Sequence, residues 1–203
     1  MADNNLISIE EKYRDFSDTK LRFSVSSRYL TPDIDIIHYL KIFYILINNW
    51  QIDSIFGHTS FFSRFYGGRP FKHEYALTDA HLKTMEKNGI NLALTLTNHF
   101  FDHQTYELEL EFLQKYHRTG NSVIVTNDNL AKQLKADFPK YEVKASIINN
   151  LNTIEKVEKA LNIYDSLTIP MEMNDDDIFL QNLLPHKEKI ILFGNAACAY
   201  TCP

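Results

Sequence analysis

Short runs rich in β-branched and aromatic residues alternate with amphipathic segments along the chain from Lys20 onward. This alternation is typical of parallel β-strands joined by crossover helices. Seven runs are predicted to be strands, at residues 21–26, 52–56, 90–97, 122–126, 141–147, 166–169 and 189–193.

The segments between these runs carry helical spacing and recognisable helix boundaries. Thr78 and Asp79 are expected to open one helix, and Gly89 suits its left-handed end. Asn152 and Thr153 are expected to cap another helix. The predicted helices cover residues 31–49, 78–88, 104–116, 130–137, 154–162 and 175–184.

Seven βα units predict an α/β fold of the incomplete (β/α) barrel type. A full barrel takes about 250 residues and eight strands, so the pattern is about one unit short. An open nucleotide-binding sheet is disfavoured because neither a GxGxxG nor a GxxxxGK motif occurs in the chain. We expect a polar leader over residues 1–18 and a single barrel domain over residues 19–203.

Composition narrows the functional classes. Lys and Arg total 21 against 26 Asp and Glu, a net charge of -5, which gives no signal for DNA binding. The longest apolar run, 42–47, is far short of the roughly 20 residues that cross a bilayer. The N-terminus lacks the basic and apolar regions of a signal peptide, so a cytoplasmic protein without a membrane span is expected.

Candidate catalytic groups follow the predicted strands, since the working groups of a barrel lie at the carboxyl ends of its strands. His99 could serve as a general base or ligand, or as hydrogen-bonded scaffolding. Asp128 and Glu172 could form a carboxylate pair for acid–base chemistry across the barrel mouth. Asp128 could equally cap the following helix, and this interpretation is slightly favoured.

A second set of candidates could bind an anion or substrate. Arg69 follows two glycines, whose backbone N–H groups together with the guanidinium could hold an anion. Asn98 and Asn195 lie directly after strands and could contribute amides. The alternative for the Gly-Gly-Arg-Pro run is a turn with a solvated arginine.

The two cysteines of the chain, Cys198 and Cys202, lie in the segment after the last predicted strand. Two cysteines exclude a disulfide-rich scaffold, and thiolates at this spacing can bind one metal ion or cluster. Structural zinc and iron–sulfur sites usually need four ligands, so the others would be histidines or residues beyond Pro203. The alternative is a pair of unrelated cysteines.

The second half of the chain resembles the collagenase-like peptidase superfamily, which also contains accessory proteins of ubiquinone and transfer-RNA hydroxylation. The resemblance runs through Asp128 after its strand, the Asn-rich turn at 146–152, and Glu172 after the next strand. It is most specific in the ending N-x-x-C-x-x-x-C-P at 195–203. It implies a (β/α) barrel in which Cys198 and Cys202 are partial ligands of a four-iron, four-sulfur cluster, with a peptide or small molecule as substrate.

Two other functions stay open from the sequence. The chain could be a non-catalytic binding or scaffold module whose last barrel unit comes from a partner chain or another subunit. It could also be a fragment of a radical S-adenosylmethionine enzyme, which is similar in using C-x3-C-x2-C. Topology disfavours the latter, because that motif follows the first barrel strand, whereas Cys198 follows the last predicted one.

Overall fold

The sheet consists of seven parallel strands in the same order as they occur along the chain. The computed structural model describes residues 21–67 and 75–194. Within them the strands are β1 (Phe23–Ser26), β2 (Ile52–Gly57), β3 (Asn91–Leu96), β4 (Ser122–Val125), β5 (Glu142–Ala145), β6 (Ser166–Ile169) and β7 (Ile190–Leu192). β1 and β7 lie at the two edges and each pairs with one neighbour within the described part.

Helices connect the strands and pack on one face of the sheet. Short 3-10 turns complete several connections, among them Ile147–Asn149 after β5 and Met171–Met173 after β6. The α-helices of the described residues are α1 (Ile36–Phe43), α2 (Asp79–Lys87), α3 (His103–Leu108), α4 (Leu110–Tyr116), α5 (Asp128–Asp137), α6 (Ile154–Leu161) and α7 (Asp177–Leu183).

The helix-covered face of the sheet is apolar from strand to strand. Val123 of β4 lies opposite Val143 of β5, and Ala145 lies opposite Leu167 of β6. All four side chains are fully buried in one core cluster with helix residues such as Leu134. Burial of this continuous face against the helices fixes the register, since a shift of one residue would turn every apolar side chain to the other face.

The seven predicted strands are therefore confirmed, as a parallel half-barrel sheet consistent with an incomplete barrel. No α-helix of the described residues is long and apolar enough to cross a membrane. The helix starts at Thr78 and Thr153 are also confirmed, because each hydroxyl accepts a hydrogen bond from the first turn. Gly89 adopts the expected left-handed conformation, with φ of 69°.

Two helix predictions are wrong in their extent. The helix predicted over 31–49 covers only Ile36–Phe43, because the Asp35 carboxylate caps it by accepting from the Ile37 and His38 amides. Beyond it the chain is no longer helical and Ile45 is 79% exposed, although Tyr44 and Ile47 still pack against the core. The helix predicted over 104–116 breaks at Glu109, where α3 ends and α4 begins.

The aromatic-rich connection after β2 belongs largely to the core. Phe65 and Tyr66 are buried, and Tyr66 packs edge-on against Phe112 of α4, with 5.6 Å between ring centroids. Phe62 of the same segment stays half exposed. The connection is thus anchored in the helical layer and runs back over the carboxyl end of β3.

Candidate functional site

The loops at the carboxyl ends of β4 and β5 form a cleft of about 700 Å³ with α5 and α6, which we call the edge cleft. Its wall includes Thr126 and Asp128 after β4, Asn149 after β5, and Tyr164, which comes before β6. Parallel strands bring their carboxyl ends to one edge of the sheet, so residues distant along the chain meet there.

A chain of hydrogen bonds fixes Asp128, the only carboxylate that the described residues contribute to the cleft wall. The Tyr164 hydroxyl donates to Asp128 Oδ1 over 2.8 Å, and Asn149 Nδ2 donates to the Tyr164 oxygen over 3.1 Å. Tyr164 is buried and Asp128 is exposed, so a rigid phenol holds a carboxylate that faces solvent. Burial, with the neighbouring Asp128, raises the pKa of Tyr164, which keeps the phenol protonated as a donor.

Three lysines, Lys132, Lys156 and Lys159, line the same cleft, so with Asp128 its wall has a formal charge of +2. Lys159 pairs with Glu155 over 2.7 Å. Lys156 donates to Asn150 O and to Asn152 Oδ1 rather than to a carboxylate. The cleft is therefore cationic in a chain whose net charge is -5.

Two polar atoms of the cleft wall are buried without a partner in the part of the chain that the structure describes. Thr126 Oγ1 and Asn149 Oδ1 are buried atoms that make no hydrogen bond among the described residues. Buried polar atoms in native proteins are nearly always paired, with protein or with a bound molecule. A hydroxyl and an amide oxygen beside Asp128 thus lack a partner among the described residues.

A second cleft of about 560 Å³ continues along the same edge and shares Asn129 and Lys132 with the first. Phe101, Asp102 and His103 form its far wall at the start of α3. The two clefts together pass over the first half of α5, a shape suited to an extended ligand.

The structure brings His99 and Asp128 together in one cleft wall, whereas Glu172 lies elsewhere. His99 is exposed, and its carbonyl oxygen accepts from Asn127 Nδ2 over 2.9 Å. Glu172 is exposed in the turn after β6, and within the described ranges no hydrogen bond or ion pair joins it to Asp128. The predicted carboxylate pair is not formed there.

Asp128 is not the helix cap that the sequence favoured. The Asn127 side chain caps α5 by accepting from the amides of Asn129 and Leu130. Asp128 lies one position later, in the first turn, where its charge is favourable near the positive end of the helix. Its carboxylate is consequently free of a capping role.

Asn98 holds the connection after β2 against the end of β3. Its Nδ2 donates to Arg64 O over 2.9 Å, and its Oδ1 accepts from the Phe100 amide. A Cβ at Gly67 would come within 2.4 Å of the Asn98 nitrogen, so the backbone of this loop lies directly on β3. Both polar groups of the Asn98 side chain are thus already used within the fold.

The remaining predicted site residues lie outside the described residues. These are Arg69, Asn195, Cys198 and Cys202. Among residues 21–67 and 75–194, no group of three or more His, Cys, Asp and Glu side chains could hold a metal ion.

Sequence reasoning missed Tyr164, Asn149 and Lys132. Asn149 follows a strand, like the residues that were singled out, and the Asn-Asn pair after β5 was the available signal. Tyr164 precedes its strand, and only the folded chain places its hydroxyl beside Asp128.

The fold is similar to that of the U32 peptidase Mk0906. The similarity covers 87% of this chain and 68% of that chain, with a TM-score of 0.55 and 12% sequence identity. No protein-family model matches this chain, and no curated protein matches it. At 12% identity the comparison defines an α/β fold of the half-barrel kind.

Proposed function

We propose that this chain is a peptide-binding barrel protein of the collagenase-like peptidase type, serving as an enzyme or as the accessory protein of one. The similarity of its fold to a U32 peptidase supports the class. The observation that carries the binding proposal is the cationic edge cleft, in which one carboxylate is held by a buried tyrosine.

The groups of the cleft suit a peptide with an acidic end or acidic side chains. Lys132 and Lys156 would attract carboxylates of the ligand, and Asp128 would accept a hydrogen bond from an ammonium or amide N–H group. Thr126 Oγ1 and Asn149 Oδ1, which lack a partner among the described residues, would pair with the peptide backbone. In an enzyme, the Asp128 carboxylate would be the proton acceptor, since Tyr164 fixes its Oδ1 and leaves Oδ2 to the ligand.

Binding and cleavage of fluorescein-labelled gelatin test this proposal. Asp128→Asn keeps the shape of the side chain but removes its charge, and we expect binding to weaken by about tenfold or more. Glu158→Gln on the same outer helical layer is the matched control and should bind like the unchanged chain. Equal binding by all three proteins would overturn the assignment of the cleft.

We also propose that Cys198 and Cys202 contribute to an iron–sulfur cluster. The terminal N-x-x-C-x-x-x-C-P pattern supports this, and thiolates are the usual ligands of such clusters. Anaerobic reconstitution with iron and sulfide should give a brown protein whose visible absorbance is lost in Cys198→Ser. A colourless protein, or colour that persists when both cysteines are replaced by serine, would contradict the proposal.

The other candidate function is a binding or scaffold module whose barrel is completed by a second polypeptide. The unpaired outer edges of the sheet favour it. β1 and β7 each have a free edge within the described part of the chain. Leu21 beside β1 is 51% exposed and Leu192 of β7 is 50% exposed. Native mass spectrometry and thermal unfolding of the purified chain test this. A monomer that unfolds in a single cooperative transition would need no partner.

A further inference from the structure

The face of the sheet opposite the helices is lined by small polar and charged side chains. Barrel interiors are usually filled by bulky branched residues such as Val, Ile and Leu. Here the strand register places different side chains on that face, among them Ser54, Thr95, Ser122, Glu142, Lys144 and Ser166. This inner face is therefore not built as an apolar core.

The large apolar side chains on the inner face lie outside the hydrophobic core cluster. Phe56 of β2 and Ile124 of β4 are only partly buried, and neither belongs to the core cluster or packs against it. By contrast, Val123 and Val125 on the opposite face are fully buried. The inner face is accordingly partly accessible at Phe56 and Ile124, whereas its small side chains, such as Ala93 and Ser122, are buried.

Glu142 is the centre of a hydrogen-bonded cluster on this face. Ser166 Oγ donates to Glu142 Oε1 over 2.7 Å, and Lys144 Nζ lies 3.2 Å from Glu142 Oε2. The Lys144 side chain is 10% exposed, whereas that of Glu142 is 44% exposed. The pair has no net charge, and Glu142 keeps lone pairs that point to solvent.

Ser122 is the second, independent indication of a ligand. It lies directly opposite Glu142 in the register and is only 1% exposed. Its Oγ atom is buried and makes no hydrogen bond among the residues that the structure describes. Leaving a buried hydroxyl unpaired is unfavourable, so a bound polar group beside Glu142 would relieve this penalty.

We propose that the inner face binds a small hydroxyl-rich molecule, of the size of a sugar, through a vicinal diol. Glu142 would accept from one hydroxyl of the diol, while Ser122 and Lys144 would donate to the oxygens. A neutral diol suits this site better than an anion, because the charge of Lys144 is already balanced by Glu142. Phe56, in the same register row as Ser122, offers an apolar ring face to the carbon skeleton.

Titration of the isotope-labelled full chain with D-glucose, followed by amide NMR shifts, tests this proposal. We expect saturable shifts at Ser122, Glu142, Lys144 and Ser166. Glu142→Gln should weaken binding by about tenfold and Ser122→Ala by about threefold, since one charged and one neutral hydrogen bond are removed. Glu158→Gln on α6 is the control and should leave the dissociation constant unchanged.

Sodium acetate is titrated in parallel to separate a diol from an anion. Shifts at the same four amides with acetate but not with glucose would overturn the ligand class. The site itself would be rejected by the absence of saturable glucose shifts up to about 100 mM, or by shifts confined to the edge cleft. Circular dichroism melts of both variants establish that they are folded, and binding of labelled gelatin reports separately on the edge cleft.

Discussion

The buried hydroxyl of Tyr164 and the exposed carboxylate of Asp128 are joined by a 2.8 Å hydrogen bond across 36 residues of sequence. This contact links the segment before β6 to the first turn of α5. The same hydroxyl accepts from Asn149 Nδ2, so one phenol fixes two walls of the edge cleft.

Tyr164→Phe should therefore affect both stability and the cleft. We expect the free energy of unfolding to fall by about 1–2 kcal/mol, because two partly buried hydrogen bonds are lost while the ring remains. Urea denaturation measures this. Tyr29→Phe, at a half-exposed ring, is the control and should change little; equal stability of the two variants would show that the Tyr164 hydroxyl is not needed.

Gly67→Ala should destabilise the loop that lies on the end of β3. The added Cβ would come within 2.4 Å of the Asn98 nitrogen and 2.5 Å of the Thr97 carbonyl carbon, both backbone atoms. We expect a loss of about 1–3 kcal/mol in the free energy of unfolding, as for other overpacked positions. Thermal or urea unfolding reports it.

Gly194→Ala is the matched control, since nothing lies within 4 Å of a Cβ built there. This variant should unfold like the unchanged chain. If Gly67→Ala were equally neutral, the close approach of the loop to β3 would be refuted.

Arg64→Ala should leave a buried carboxylate without its partner. Arg64 donates to Glu109 Oε1 over 2.8 Å, and the Glu109 side chain is only 3% exposed. We expect a loss of about 2 kcal/mol, moderated because Arg64 itself is half exposed. Chemical denaturation of purified variants measures the effect.

A double variant, Arg64→Ala with Glu109→Leu, separates loss of the ion pair from loss of packing. Removing both charges avoids burying an unpaired carboxylate, so the double variant should be more stable than Arg64→Ala alone. The opposite order of stabilities would contradict a role for the uncompensated charge.

The free energy of unfolding should fall as the pH is lowered, and protonation of His81 should contribute to this fall. Its Nδ1 accepts from the Thr78 amide and its Nε2 lies 3.0 Å from Ile34 O, an arrangement that fits the neutral ring with the proton on Nε2. Burial lowers the pKa of His81 below its ordinary value of 6.5. The unfolded chain thus binds more protons near pH 6, and this contribution is lost as pH falls from about 6.5 toward the folded pKa.

Urea denaturation between about pH 5 and 7.5 measures this dependence. Burial also lowers the pKa of His58 and His117, so the slope is shared between three histidines. His81→Gln should reduce the slope below pH 6.5 without removing it. An unchanged slope in this variant would exclude His81 as a contributor.

The sequence was sufficient to predict the strands because the helix-covered face is apolar in every unit. Val123, Val143 and Leu167 each lie inside a short run of β-branched and apolar residues, and such a run predicts a strand. Helix ends were harder to predict. The apolar period after Phe43 continues through Ile45, which is largely exposed, so periodicity overstated the burial of that segment.

For the site, the sequence pointed to positions after strands and so found Asp128 and His99. It could not find Tyr164, because that residue reaches Asp128 only through the packing of β6 beside β5. It also singled out Asn98 as a binding residue, whereas the side-chain amide of Asn98 hydrogen-bonds to the chain's own backbone. Local pattern gives the position of a polar side chain, whereas its partners depend on contacts made across many residues.

The order of the strands has a consequence for how the fold could change. Since every strand pairs only with the units directly before and after it in sequence, an additional βα unit at either edge would leave all existing strand pairs in place. Insertions of whole units at β1 or β7 should be tolerated, and insertions between β4 and β6 should not, because the latter would separate Asp128 from Asn149 or Tyr164. The fold can therefore accept further βα units beside β1 or β7 without any change to the edge cleft.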